Sequence, residues 1–169
     1  MEIFRVSENA EIPAFATRGS ACFDLKACLD TDAKVKVYNP HNKETYVPAK
    51  QSNGGLSLQV PPSFRVLIPT GLIFDIPEGY ELKVHIRSSM AFKYGIVLAN
   101  STGVIDSDYV DPTYVMVYNI SDTPVTIYHG DRIAQAQLVK LEEYDLTETK
   151  NRPVKKTDRD GGIGSTGTN

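Results

Sequence analysis

Short runs in which hydrophobic and polar residues alternate recur along most of the chain, and this pattern predicts β-strands. Turn signals such as Pro61-Pro62 and Pro77-Glu78-Gly79 separate the runs. Only Ser88 to Lys93 indicates a short helix. Many short strands with little helix favour an antiparallel β-barrel or sandwich. Strands are predicted at residues 3–6, 22–27, 56–60, 64–68, 80–86, 114–119 and 125–128.

Two segments depart from the alternating pattern. Residues 34–55 are polar and contain Pro40, Pro48 and Gly54, so we expect an irregular loop excursion inserted into the barrel. Residues 142–158 are rich in Glu, Lys, Thr and Asp and predict an extended arm. The predicted organisation is therefore one all-β domain over residues 1–141 and a flexible C-terminal arm over residues 142–169.

Composition and charge narrow the function classes. With 169 residues, 41% of them hydrophobic, the chain is long enough for one domain with a genuine core. The net charge of -3 gives no overall attraction to nucleic acid or to an anionic membrane. No apolar run is long enough for a membrane span or a signal peptide, so a soluble cytoplasmic protein is expected, or one of the host cytoplasm or nucleus if viral or eukaryotic.

The cysteines and histidines indicate neither a disulfide nor a metal site. Cys22 and Cys28 lie six residues apart on one predicted strand, about 20 Å from each other and beyond disulfide reach. They are interpreted as free, buried thiols in a reducing compartment. The three histidines show no metal-ligand spacing among themselves or with the cysteines.

The glycine-rich end of the chain carries the first candidate chemistry. Four glycines follow Arg159, at positions 161, 162, 164 and 167, and Ser165 and Thr166 lie between the last two. Backbone N–H groups and hydroxyls in such a strip can close over phosphate. The alternative is a solvated, disordered terminus, which composition alone favours.

Two upstream segments combine charged and hydroxyl side chains. Asp24 stands inside an otherwise apolar strand, where a buried carboxylate needs a partner; an exposed strand-edge aspartate is the alternative. Arg87, Ser88 and Ser89 come where a strand gives way to the predicted helix. A guanidinium and two hydroxyls there suit an anion, although an ordinary N-cap serine explains the same residues.

Two further segments supply a candidate base and an amide. Residues 103–109 contain Asp106, which could accept a proton, and Tyr109, which could form a flat platform for a sugar or base. An acidic β-turn is the alternative. Residues 130–135 contain an adjacent Asp131–Arg132 pair, which is more often a structural ion pair, and Gln135, which could donate to a phosphate oxygen.

Together, and in this order, the segments resemble the five motifs of the trimeric all-β dUTPase family, the deoxyuridine 5′-triphosphate nucleotidohydrolases. The resemblance covers nearly the whole chain, and its most specific parts are Gly-Val-Ile-Asp-Ser-Asp-Tyr and Gly-Asp-Arg-Ile-Ala-Gln. The matching motifs are residues 19–25, 87–91, 103–109, 130–135 and 161–167.

The resemblance implies a jelly-roll-like β-barrel and an enzyme that hydrolyses dUTP to dUMP and pyrophosphate. Such an activity limits uracil in DNA and supplies dUMP for dTMP synthesis. It further implies a homotrimer with three active sites, each built from the third motif of one subunit, the first, second and fourth motifs of another, and the arm of the third. Mg²⁺ would be held by the triphosphate and water rather than by direct protein ligands.

The resemblance also implies a role for each matching residue. Asp106 would be the general base that activates the water attacking the α-phosphorus, and Asp24 would order water near the metal. Tyr109 would lie against the deoxyribose and exclude a 2′-hydroxyl. The phosphates would be held by Arg87, Ser88, Ser89 and Gln135, and the uracil edge would be read by Asn100 and by the backbone of Val104, Ile105 and Tyr114.

The arm would close over the bound nucleotide. Arg159 would neutralise phosphate charge, and Gly164, Ser165 and Thr166 would cover the phosphates. Ile163 stands where the family usually has a phenylalanine over the uracil ring, and an aliphatic side chain covers a ring face without aromatic stacking.

Two alternatives remain open at this point. A dCTP deaminase would share the barrel, but that family places a proton-transferring acid where this chain has Met116. A nucleotide-gated regulatory protein would keep the nucleotide pocket and use residues 34–55 to bind a protein partner.

Overall fold

The computed structural model describes residues 1–31, 33–158 and 161 and confirms the all-β, jelly-roll-like prediction. Its single α-helix is α1 (Ser88–Tyr94). The strands are β1 (Glu2–Arg5), β2 (Phe23–Lys26), β3 (Lys34–Tyr38), β4 (Glu44–Pro48), β5 (Lys50–Ser52), β6 (Gly55–Val60), β7 (Arg65–Pro69), β8 (Leu72–Asp75), β9 (Tyr80–Ile86), β10 (Ile96–Leu98), β11 (Gly103–Ile105), β12 (Tyr114–Asn119), β13 (Val125–Tyr128) and β14 (Arg132–Lys140).

The strands divide into four antiparallel sheets. Two are large, with strand orders β10-β12-β7-β3-β4 and β11-β9-β14-β2, and two are small, with orders β13-β6-β5 and β1-β8. Within the described residues the hydrogen-bonded ladders do not close into a barrel. Neighbours in a sheet are often distant in sequence, as β2 and β14 are, so long crossovers set the topology.

The prediction of an irregular excursion at residues 34–55 is wrong in its local structure. β3 and β4 form a five-pair hairpin from Lys34↔Pro48 to Tyr38↔Glu44, and β5 pairs with β6. The Lys-Val-Lys-Val-Tyr sequence of β3 alternates between exposed and buried positions, as a half-buried strand should. The prolines and asparagines that indicated a loop lie at the turn and at the strand ends.

Inward-facing aliphatic side chains from all four sheets form one continuous core. Burying a side chain of this size contributes about 1.5–3 kcal/mol, so this cluster is the main stabilising feature. Both cysteines are free thiols, as predicted, but only Cys28 is buried and Cys22 is partly exposed. Burial raises the pKa of Cys28 and of Cys22. The largest fully buried side chains include Phe74, Leu25, Leu29, Leu58, Ile68, Leu82 and Ile96.

Helix α1 ends at Gly95, which has the left-handed backbone angle φ of 62°. The Gly95 N–H donates to the carbonyl of Ala91, 3.2 Å away. A Cβ at Gly95 would lie 3.0 Å from the Ser121 Cβ, so both the backbone angle and the close approach favour glycine. In the part of the chain that the structure describes, no helix is long and apolar enough to cross a bilayer.

A fully buried asparagine ties the end of β12 to the neighbouring loops. The Asn119 amide nitrogen donates to the carbonyls of Val60 at 2.9 Å and Thr123 at 2.8 Å. Its oxygen accepts from the Ser121 backbone N–H at 2.9 Å and hydroxyl at 2.7 Å. Every hydrogen-bonding position of this amide group is therefore used, which is what makes a buried polar side chain favourable.

Asn119→Ala is expected to lower the free energy of unfolding by about 2–4 kcal/mol, because it leaves several partly or fully buried backbone groups without partners. Urea denaturation followed by circular dichroism measures the change. Asn39→Ala is the matched control: the Asn39 amide oxygen accepts from the backbone N–H groups of His41 and Lys43 in an exposed turn, where water can replace it. That control should cost less than about 1 kcal/mol. Equal losses in the two variants would contradict the role of burial.

Candidate active site

A carboxylate held between two guanidinium groups forms the most highly charged cluster near the predicted phosphate motifs. The Asp24 Oδ1 lies 3.0 Å from Nε of Arg87, and its Oδ2 lies 3.1 Å from Nη1 of Arg132. The Arg87 guanidinium also donates to the Arg132 carbonyl at 3.2 Å. The expectation that Asp24 needs a partner is met twice, and the cluster keeps a net positive charge.

Three neighbouring strands bring this cluster together. Gln135 on β14 lies opposite Asp24 on β2 and opposite His85 on β9, and its amide donates to the Ile86 carbonyl at 3.4 Å. The register between β14 and β2 shifts between Arg132 and Ala134. Such a bulge changes the direction of the side chains next to it. Here the Arg132 side chain extends from the bulge to Asp24 on β2.

The predicted Asp131–Arg132 pair does not form. The Asp131 carboxylate instead accepts from the Tyr128 backbone N–H at 2.8 Å and closes the β13–β14 turn. Sequence reasoning therefore assigned Arg132 to the wrong carboxylate. The signal available was the unpartnered Asp24 on an apolar strand, which needs a cation from elsewhere in the fold.

The two serines of the second motif begin helix α1. The N-cap position is Arg87 rather than a serine, and among the described residues no side chain caps this helix end. The N-cap interpretation of Ser88 and Ser89 is therefore wrong. Arg87, Ser89 and Arg132 line one side of an open cavity of about 570 Å³.

A second, smaller cavity lies beside β11 and β12. Its volume is about 240 Å³, and its wall includes Asn100, Val104, Ile105, Tyr109 and Tyr114. These are the residues predicted to contact the nucleoside, and the structure brings all of them together. The remaining lining, which the sequence reasoning did not assign, consists of Leu67, Val84, Leu98, Gly103, Thr113, Val115 and Met116.

Tyr109 keeps a neutral phenol at the edge of this cavity. Its hydroxyl donates to the Pro112 carbonyl at 3.1 Å. Burial raises the pKa of Tyr109, and the nearby Asp111 and Tyr114 raise it further. The ring is therefore fixed as an uncharged surface, which suits contact with a sugar or a base.

Asp106 follows directly after β11 and is exposed to solvent. The Tyr109 backbone N–H donates to the Asp106 carbonyl at 3.2 Å, which closes a four-residue turn. The acidic β-turn considered from the sequence is thus present, and it holds the candidate base next to the cavity that Tyr109 lines. The two interpretations of this segment are compatible.

Asp106 and Arg87 lie toward opposite ends of β9, while the smaller cavity reaches the middle of this strand at Val84. Ile105 pairs with Leu82, and five residues of strand separate Leu82 from Arg87, or about 17 Å. In the antiparallel ladder Asp106 lies one residue farther from Arg87. One chain therefore holds an uncharged cavity next to Asp106 and a cationic cluster around Arg87, and β9 keeps these two residues apart.

Five of the predicted site residues belong to the C-terminal arm. Arg159, Ile163, Gly164, Ser165 and Thr166 lie outside the described residues. Residues 142–158 are exposed and form no helix or strand. In the described ranges no three His, Cys, Asp or Glu side chains are grouped as metal ligands, and both Asp24 oxygens are already paired with arginines.

The fold and these two half-sites define an all-β protein suited to a small ligand that combines an uncharged ring with an anionic group. A family model described as dUTPase matches residues 55–167. The chain belongs to the dUTPase family.

Individual relatives agree with this assignment. The chain is 37% identical over 161 residues to the deoxyuridine 5′-triphosphate nucleotidohydrolase of Rhizobium etli, a match that covers 95% of this chain and 87% of the relative. It is 37% identical to that of Finegoldia magna, covering 94% and 93%. Among solved structures, the Staphylococcus bacteriophage 80alpha dUTPase with dUpNHpp superposes with a TM-score of 0.74 at 19% identity, covering 98% and 97%, a likeness of fold.

Proposed function

We propose that this protein hydrolyses dUTP to dUMP and pyrophosphate. The observation that carries the proposal is the position of Asp106, next to an uncharged cavity lined by Asn100 and Tyr109, in a member of the dUTPase family. The cavity takes deoxyuridine, and Tyr109 leaves no room for a 2′-hydroxyl. Asn100 and the backbone of Val104, Ile105 and Tyr114 contact the uracil edge.

Hydrolysis then needs one proton acceptor and stabilisation of negative charge. Asp106 accepts a proton from a water molecule, whose oxygen forms a bond to the α-phosphorus. The bond from that phosphorus to the oxygen bridging to the β-phosphate breaks, and pyrophosphate leaves. Exposure of Asp106 in the single chain is compatible with this role, because the base must reach a water and a substrate that other groups then cover.

Positive charge near the phosphates comes from the cluster around Asp24. Arg87, Ser88, Ser89 and Gln135 hold the phosphate oxygens, and Arg132 keeps the Arg87 guanidinium in place through the shared Asp24 carboxylate. Because the pairs are already formed, little reorganisation is needed when the anion binds. Asp24 retains lone pairs that can order a water beside the phosphates.

Mg²⁺ fits this site as part of the substrate complex, since among the described residues no three His, Cys, Asp or Glu side chains are grouped as metal ligands. Bound to the triphosphate and water, the ion would supply charge neutralisation. The arginines supply the remaining positive charge from the protein side.

The active site is proposed to be shared in a homotrimer. The backbones of Asp106 and Arg87 lie at least about 17 Å apart along β9. This supports sharing, because the linked phosphates of one nucleotide span only a fraction of that distance. A head-to-tail ring brings the Asp106 end of one subunit to the Arg87 end of the next. The exposed 142–158 arm is long enough to carry Arg159, Ile163, Gly164, Ser165 and Thr166 to a third subunit, where they close over the nucleotide.

Asp106→Asn is expected to lower kcat for dUTP by about 10²–10⁴-fold, because an amide cannot accept the water proton. Binding of a non-hydrolysable dUTP analogue should change only a few-fold, since the side chain keeps its size. Pyrophosphate release, with and without Mg²⁺, measures the first effect and calorimetry the second.

Asp108→Asn is the matched control, because it makes the same change two residues along the same turn, and it should retain most of the activity. The reverse result, with Asp108 essential and Asp106 dispensable, would overturn the assignment. The same assay with dCTP and ammonia detection separates a deaminase, which would release ammonia and no pyrophosphate.

Mixing Arg87→Ala and Asp106→Asn subunits should restore activity that neither variant has alone. In a randomly mixed ring, about one site in four combines an intact Asp106 from one subunit with an intact Arg87 from the next. The measurement is dUTP turnover after the subunits exchange, with native mass spectrometry to verify hybrid assemblies. Hybrids as inactive as the parents would show that each site lies within one chain.

A second, regulatory function is proposed for the β3–β4 hairpin. β4 lies at the edge of its sheet, and Tyr46 on β4 is 50% exposed. Tyr38 and Arg65 line an adjoining, largely apolar cavity of about 400 Å³, and the Arg65 guanidinium lies 5.5 Å from the centre of the Tyr38 ring. Aromatic and arginine side chains around an apolar surface are typical of protein-binding patches.

Tyr46→Ser is expected to abolish capture of a protein partner and to leave dUTP hydrolysis unchanged, because Tyr46 lies outside both half-sites. Affinity capture with wild-type and variant protein compares the partners. Tyr144→Ser, which removes an exposed tyrosine from the arm, is the control and should retain them. Identical partners for all three proteins would remove the regulatory proposal.

A further inference from the structure

Thr113 carries a buried hydroxyl that the fold itself does not use. The residue is only 2% exposed, and its Oγ1 has no hydrogen-bond partner among the described residues. Its backbone, in contrast, is fully paired. The Thr113 N–H donates to the Leu72 carbonyl at 2.8 Å, and the Thr113 carbonyl accepts from the Thr70 N–H at 3.1 Å and from the Thr70 hydroxyl at 2.7 Å.

Such an arrangement is unfavourable in the free protein. A buried hydroxyl without a partner loses its hydrogen bonds to water and gains nothing in return, whereas valine fills the same volume without that loss. The paired backbone holds the Thr113 main chain in place. A molecule that enters the neighbouring space can supply the missing partner.

Thr113 directly precedes β12 and lies beside the smaller cavity. Along this strand Val115 and Val117 are buried while Tyr114 and Met116 are exposed, and Thr113 continues the buried series. Val115 and Thr113 both line the cavity of about 240 Å³ that also contains Asn100 and Tyr109. Thr113 also borders a separate cavity of about 560 Å³ on the far side.

The side chains that line the smaller cavity indicate which part of a ligand can bind there. Of the described side chains that line it, none carries a charge, so it suits a neutral ring or sugar rather than a phosphate. The 560 Å³ cavity, by contrast, includes Asp30, Lys34 and Lys36.

We propose that the Thr113 hydroxyl hydrogen-bonds the nucleoside part of the bound nucleotide and is a specificity-determining residue of this enzyme. The inference rests on the proposed dUTP hydrolysis and adds one contact to it. Its partner is a polar atom of the base or the sugar, and the contact forms only in the complex. The contact gives the unpaired Thr113 hydroxyl a partner, so binding restores the hydrogen bond that this hydroxyl lost when the protein folded.

Thr113→Val is the direct test, since valine keeps the shape and removes only the hydroxyl. It should weaken dUMP binding about three- to tenfold, as expected for loss of one neutral hydrogen bond. It should raise the melting temperature of the nucleotide-free protein. Inorganic tripolyphosphate, which lacks a nucleoside, should bind as it does to the wild type. Thr113→Ser, which keeps the hydroxyl, should bind dUMP within about threefold of the wild type.

Two results would overturn the inference. Unchanged dUMP affinity in Thr113→Val would mean that the hydroxyl faces the other cavity or a water molecule. An equal loss for tripolyphosphate would mean a structural effect. Should Thr113→Val fail to fold, the same comparison is made between Thr113→Ser and Thr113→Ala. If wild-type protein hydrolyses dUTP and only the valine result is negative, the proposed function stands; if the wild type neither binds dUMP nor hydrolyses dUTP, both fall.

Discussion

Strand β9 keeps Asp106 and Arg87 apart, and it cannot shorten because it is hydrogen-bonded on both sides. β11 pairs with one edge and β14 with the other, and the inward side chains Leu82 and Val84 are buried in the core. An extended strand holds two groups apart at a nearly constant rise of about 3.3 Å per residue. Within one chain β9 therefore keeps Asp106 and Arg87 apart, which agrees with the proposal that the site is shared between chains.

The charged cluster depends on the same sheet. Asp24 lies on β2, Arg132 on β14 and Arg87 directly after β9, so their pairing exists only when these three strands are in register. A carboxylate between two arginines reduces their mutual repulsion and holds both guanidinium groups in place while solvent still reaches them. The sheet thus keeps a partly neutralised cationic surface ready before any anion arrives, which is the condition for effective electrostatic stabilisation.

The strands with large β-branched or aromatic side chains could be located from the sequence. Tyr80–Ile86, Tyr114–Asn119 and Val125–Tyr128 were predicted with their observed bounds. β14 was missed because its buried positions include Ala134 and Ala136, whose small side chains give a weak hydrophobic pattern. In β3 a clear alternation was outweighed by the prolines and glycines that follow it, although these only end the hairpin strands.

The candidate site residues could be named from their motifs, but the groups that they contact could not. Nothing in the sequence pairs Asp24 with Arg132, which is 108 positions away, because that contact depends on sheet order and on a bulge. The unpaired state of the Thr113 hydroxyl was equally hidden, since it follows from burial and from the absence of a nearby partner in the described structure. Local patterns identify chemical groups, while long-range pairing decides what each group meets.

The β3–β4 turn is a suitable place to attach a label to this chain. Tyr38 pairs with Arg65, and Arg65 pairs with Tyr118, so the turn lies at the opposite end of β12 from Tyr114 and the ligand cavity. Exposed hairpin tips tolerate inserted sequence better than any other part of a sheet. A short peptide tag or a dye grafted between Asn39 and Lys43 would mark individual subunits, and two colours would let their exchange be followed in real time.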